Sequence, residues 1–147
     1  MRTVTEHLAA VLALGRPLPS QLVPIGADLA RYLTRDIAAR YAVPPFDNSA
    51  MDGYALRHAD LQEVPAVLDV VGDVPAGRAA TETVEPGEAM RIMTGAPLPE
   101  GADTVVPVEL TDQEPGDHPL PARVRINEAV TLGRHIRRAG ENAAVGD

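Results

Sequence analysis

The sequence predicts a mainly β domain with helices at its N-terminal end, an α+β arrangement of irregular, twisted antiparallel sheets or a small barrel. Three observations carry this. Prolines number 14 and glycines 12 in 147 residues, above the usual combined share of about 12%, so the chain turns often. Helical periodicity is confined to the residues before Pro44. After Pro44-Pro45, short apolar or alternating runs are separated by stretches rich in Pro, Gly and Asp, the pattern of short strands joined by turns rather than of a parallel α/β sheet.

The first element is a helix over residues 3–14. Thr3 followed by Glu6 is a capping-box pair, each side chain satisfying a free backbone N–H of the first turn. Val4, Leu8, Val11 and Leu12 fall on one face, and Gly15 with Pro17 ends the run. A second, shorter helix is predicted over Ala27–Arg35, with Leu29 and Leu33 on one face beside Tyr32. Strands are predicted at Ala66–Val71, Ala89–Met93, Thr104–Val108 and Arg123–Ile126. In the last, Val124 and Ile126 face one way and Arg123 and Arg125 the other, the period-two mark of a half-buried strand. Asp112–Pro121 reads as an exposed hairpin tip.

Composition excludes several functions. The formal charge is −8, and all 13 cations are arginine; such acidity argues against a general nucleic-acid coat, whose affinity comes from neutralising phosphates. Phe46, Tyr32, Tyr41 and Tyr54 are too few rings for stacking on bases. No run of apolar residues is long enough to span a bilayer, and Glu6 with His7 sit where an export signal needs an apolar core. With no cysteine there is no disulfide framework, thiolate metal site or cysteine nucleophile. These features predict a cytoplasmic protein with neither nucleic-acid nor membrane partner.

Three segments could carry chemistry. In Pro44–Tyr54, PPFDNSAMDGY, two prolines stiffen the approach and Gly53 permits a bend close to a ligand. Asp47, Asn48, Ser49 and Asp52 present side-chain oxygens with no cation among them, a donor set suited to a hard cation such as Mg2+. The same residue types dominate ordinary turns, and spacing alone leaves both readings open. In Arg91–Gly101, RIMTGAPLPEG, an apolar strand runs into Thr94-Gly95, placing one hydroxyl at a strand end; capping the turn would also explain it. In Gly133–Asn142, GRHIRRAGEN, Arg134, Arg137 and Arg138 form a cationic cluster. Guanidinium forks suit an oxyanion, yet the cluster could equally pair with the surplus carboxylates. His135 has no metal-ligand spacing to support it.

Together, FDNSAMDGYA at 46–55, RIMTGAPLPEGADTVVPVE at 91–109 and IRRAGEN at 136–142 resemble the molybdopterin molybdenumtransferase family, which includes the E domain of gephyrin. The family inserts molybdate into adenylylated molybdopterin with release of AMP, assisted by Mg2+, in the last step of molybdenum-cofactor synthesis. Its members are longer, so the resemblance implies an N-terminal part. Residues 1–19 would be a helix packing on an α/β domain absent here, 20–43 the first half of a linking region, 44–142 the β-rich second domain, and 143–147 the start of the next segment. It further implies a homodimer with a cleft shared between subunits, an enzyme partner that supplies adenylylated molybdopterin, and no activity in these residues alone.

By the same resemblance Asp52 is a catalytic residue that holds metal or positions water, and Thr94 donates to phosphate. Ser49, Asn48, Arg137 and Arg138 would support substrate or phosphate binding, and Asp47, Glu141 and Asn142 are further metal candidates. One departure stands out: the family motif continues Gly-Glu-Asp, whereas here Asn142 follows Glu141, and an amide carries no charge for a cation. A non-enzymatic β-rich dimerisation or docking module, with Arg134–Arg138 against an acidic partner, is the alternative.

Overall fold

A computed structural model describes residues 2–16, 18–24, 26 and 31–147. The chain separates into two compact units, Met1–Ile37 and Ala38–Asp147.

In the first unit, helix α1 spans Val4–Leu12, and the capping box is formed in both directions. The Glu6 N–H donates to Thr3 Oγ1, and the Thr3 N–H donates to Glu6 Oε2 at 2.8 Å. None of its residues is buried; Val4 is 87% and Leu12 67% exposed. The apolar stripe that defines the helix in the sequence is therefore uncovered. Of the second predicted helix, residues 27–30 lie outside the described residues, and Arg31–Arg35 are not helical. Short helices depend on burying an apolar face, and here Tyr32 and Leu33 are exposed.

The second unit holds strands β1 (Asn48–Ser49), β2 (Gly53–Leu56), β3 (Ala66–Val74), β4 (Glu88–Ile92), β5 (Thr104–Pro107), β6 (Arg123–Ile126) and β7 (Ile136–Arg137). Five of them form a sheet in the order β5-β2-β4-β3-β6, and β1 pairs with β7. One pair departs from the antiparallel expectation: β3 runs parallel to β4, with a bulge between Val70 and Gly72. The bulge carries β3 past Val71, where the alternation of its sequence fails, on to Val74.

Side chains of β2 alternate between two cores. Tyr54 and Leu56 join Leu68, Val106, Val124 and Ile126 on one face; Ala55 joins Val74, Met90, Ile92 and Val105 on the other. All four residues of β2 are buried, so the strand lacks the polar–apolar alternation that marks a half-exposed one. The 112–121 segment is an exposed tip as predicted: Thr111 bridges Ile126, and Asp112 accepts the Arg125 N–H while donating its own to the Arg125 carbonyl. At the ends of the unit, Val43 bridges Ala143 and the Ala39 N–H donates to the Asp147 carbonyl.

Gly53 serves the sheet rather than a ligand. It pairs with Ile92 on one side and Pro107 on the other, and a Cβ there would stand 2.0 Å from the Val106 carbonyl oxygen and 2.9 Å from the Pro107 Cα. Both obstacles are backbone and cannot swing aside. Gly53→Ala is expected to destabilise the domain by at least about 2 kcal/mol, read as a lower urea midpoint; an unchanged midpoint would show that β5 yields freely.

Candidate active cleft

The three motifs meet on the short stretch 47–52. Its backbone is bonded on one side to 95–98: the Ser49 N–H donates to the Ala96 carbonyl, the Gly95 N–H to that of Ser49, and the Leu98 N–H to that of Asp47. On the other side Asn48 pairs with Arg137 and Ser49 with Ile136. The Ala50 N–H donates to the His135 carbonyl. Segments separated by some forty and ninety residues thus converge on one strand and the bend that follows it.

Asp52 is exposed at that bend, directly before β2. One of its oxygens, Oδ1, accepts two hydrogen bonds from Thr94: from the backbone N–H at 2.6 Å and from the hydroxyl at 2.7 Å. The Thr94 N–H, followed by the Thr94 hydroxyl, holds the Asp52 carboxyl below the usual carboxylate range against a smaller effect of desolvation. Asp52 is thus an ionised acceptor at neutral pH. Its Oδ2 makes no hydrogen bond among the described residues. The Thr94 hydroxyl, expected to donate to phosphate, here spends its proton on Asp52.

The other sequence candidates are placed differently. Ser49 is fully buried; its hydroxyl donates to the Met51 carbonyl and accepts the Met51 N–H. Asn48 is 4% exposed, and its amide donates to the Phe46 carbonyl at 3.1 Å. Both side chains stabilise the turn, the plainer of the two readings weighed for them. Asp47 uses both oxygens: Oδ1 accepts the Ala139 N–H at 2.8 Å and Oδ2 the Arg138 guanidinium at 2.6 Å. Glu141 likewise accepts from Arg137 Nε at 2.9 Å and from the Arg138 N–H at 3.0 Å. Arg137 and Arg138 are therefore paired with carboxylates, and both oxygens of Asp47 and of Glu141 already accept a hydrogen bond. Asn142 is exposed, and its N–H donates to the Val43 carbonyl.

Asp52 lines a cleft of about 300 Å3. Tyr54 and Arg91 share its wall, and Gln113–Pro119 of the hairpin tip close another side. Burial pushes the Tyr54 phenol up, so it stays protonated. The sequence does not signal Tyr54 or Arg91 as cleft residues: each sits inside a strand, and only the pairing of Tyr54 with Arg91 brings them beside one another. No group of three or more His, Cys, Asp or Glu among the described residues is placed to hold a metal ion. None of the described helices is long and apolar enough to cross a membrane.

Residues 2–147 match the family defined by the MoeA N-terminal region, domains I and II. The chain belongs to this family. A MoeA relative, molybdopterin molybdenumtransferase 2 of Mycobacterium tuberculosis, is 43% identical over 99% of this chain and 36% of its own. Molybdopterin molybdenumtransferase of Bacillus subtilis is 37% identical over 97% of this chain and 34% of its own. Among solved structures, the molybdopterin biosynthesis MoeA protein of Pyrococcus horikoshii superposes with a TM-score of 0.75 at 33% identity, covering 85% of this chain and 32% of that one. The chain spans about a third of the length of these relatives.

In this MoeA N-terminal region the junction of 47 with 138–139 is electrostatic, and it titrates. The Ala139 N–H, then Arg138, hold the Asp47 carboxyl below its ordinary value. A depressed folded value means that the stabilisation is present above the unfolded pKa and is lost as pH falls through the folded one. Asp47→Ala is expected to cost about 1 kcal/mol at neutral pH, modest because the pair is solvent-accessible. In urea titrations the gap between variant and parent should narrow as pH falls below the ordinary aspartate range; a gap that stays constant through strong acid would mean the carboxylate charge is not what holds the junction.

Proposed function

We propose that this chain is the N-terminal part of a molybdopterin molybdenumtransferase, which inserts molybdate into adenylylated molybdopterin and releases AMP, with Asp52 as its principal catalytic contribution. The observation that carries the reading is the Asp52–Thr94 pair. Residues from two distant motifs meet at hydrogen-bond distance, beside a cleft that Asp52 lines, leaving one carboxylate oxygen unengaged. Relatives named for this activity, at 43% and 37% identity, support the same reading.

The chemistry asks for a fixed carboxylate that can hold a cation or orient a water beside a phosphoanhydride. Thr94 supplies the fixing: its two donors hold Oδ1, so Oδ2 is aimed without rotamer freedom. As an ionised carboxylate, Asp52 can accept a proton or hydrogen bond from a water near the phosphate but cannot act as an acid at neutral pH. The motif residues fit Mg2+ as a one-carboxylate site, since no cluster of three ligating side chains stands among the described residues. Asp52 Oδ2 would hold the ion, with water and substrate phosphates completing its shell, because Asp47 and Glu141 are committed elsewhere. Bound there, the ion would offset phosphate charge. Asn142 adds no charge, so of the motif residues Asp52 alone offers an open carboxylate oxygen to the cleft, which Glu109, Glu114 and Asp117 also line; the remaining wall of the cleft belongs to the rest of the longer, homodimeric, cytoplasmic enzyme. Adenylylated molybdopterin reaches it from the enzyme that makes it.

In the full-length gene product, Asp52→Ala should lower cofactor formation and AMP release on the order of a hundredfold or more, with the melting temperature down by only a few degrees, since the bonds lost to Thr94 lie at an exposed bend outside the core. Thr94→Val removes one donor of two and should cost roughly tenfold. Wild-type turnover by Asp52→Ala would remove the pair from the mechanism.

A further inference from the structure

Arg91 lies on β4, opposite Tyr54 of β2 and beside Asp73 of β3. Its side chain is only 16% exposed. Nε and one terminal nitrogen bind the two oxygens of Asp73, each at 2.9 Å. The other terminal nitrogen donates to the His118 carbonyl oxygen at 2.6 Å. A guanidinium is a rigid fork whose edges can serve two partners at once. Here one edge is held by the sheet and the other reaches the hairpin tip.

Beyond this bond and the attraction between Arg91 and Asp117 of the tip, little fastens it. Asp112 secures its base to β6, and the His118 ring bonds only to the Pro115 carbonyl within the tip. Among the described residues no other hydrogen bond ties 114–119 to the sheet. The same tip closes the cleft that Asp52 lines. Strand β4 therefore carries the residue that holds the tip, and three positions later, just past the strand's end, stands Thr94, which clamps Asp52.

We propose that Arg91 is a positioning residue for the reaction assigned above: it fastens the 113–119 tip to the sheet and so fixes one wall of the substrate cleft beside Asp52. The inference rests on that functional reading. Because the bond goes to a backbone carbonyl, the tip's side chains can change without loss of the tether. A lysine could keep the pair with Asp73 but has no second edge to reach residue 118.

The test uses Arg91→Lys, with Arg91→Ala beside it, in the full-length gene product. Amide hydrogen exchange across 113–119 should accelerate roughly tenfold while β2 and β4 keep their protection. KM for adenylylated molybdopterin should rise roughly tenfold with kcat within about twofold. A variant with 113–119 replaced by a Gly-Gly link should show the same rise in KM, and adding Arg91→Lys to it should change nothing further. Unaltered exchange at the tip, a fall in kcat with KM unmoved, or additive effects in the double variant would each overturn the proposal. Turnover retained by Asp52→Ala sinks the functional reading instead; normal dependence on Asp52 with an unmoved KM in Arg91→Lys sinks this inference alone.

Discussion

Residues 47–52 are hydrogen-bonded along both edges, and most of what is distinctive in the domain depends on that. With 95–98 on one side and 135–139 on the other, this stretch cannot shift without breaking backbone bonds to two remote segments. The rigidity passes to Asp52 at its end, where the Val108 N–H donates to the Asp52 carbonyl and Thr94 grips the side chain. A carboxylate placed by this many constraints has little rotamer entropy left to lose on meeting a ligand. Preorganisation of this kind is what a functional side chain on a bend requires and what an ordinary surface turn lacks.

The carboxylates of the region divide by role according to how many of their oxygens are engaged. Asp47 and Glu141 have both oxygens taken by backbone N–H groups and arginines; they act as staples. Asp52 has one oxygen taken and one open. The distinction is invisible in composition, where all three are merely acidic residues in motifs, and it follows wholly from which donors the fold brings near. The arginine cluster divides in the same way: Arg137 and Arg138 are held by those staples, and Arg91, far from the cluster in sequence, is the cation beside the cleft.

Much of this was legible in the sequence. The capping box, the β6 alternation and the strand runs at 66, 89 and 104 all appear where periodicity places them, because half-buried strands and capped helices follow from local chemistry. Strand β2 was hidden, since GYAL is buried on both faces and sits in a segment whose Asp, Ser and Gly read as a turn. Strands β1 and β7 are two residues long and have no period to detect. The parallel β3–β4 pairing is a tertiary choice that no local pattern encodes. Of the candidate site, Asp52 and Thr94 stand out in separate motifs, but nothing local pairs them. For Ser49 and Asn48 the sequence leaves a binding role and a turn role open, and their burial favours the turn. Arg91 carries no local signal, because a charged residue within a strand looks like solvent-facing alternation until its pairing is known.

The all-arginine cation set has a consequence beyond charge balance. Every ion pair described above uses a guanidinium, which keeps its proton far into alkaline conditions, so these junctions are undone from the acid side alone. The same choice leaves the 147 residues without a single ε-amine. Chemistry directed at lysine, whether acetylation, ubiquitin conjugation or amine-reactive cross-linking, finds no side chain to act on anywhere in this region.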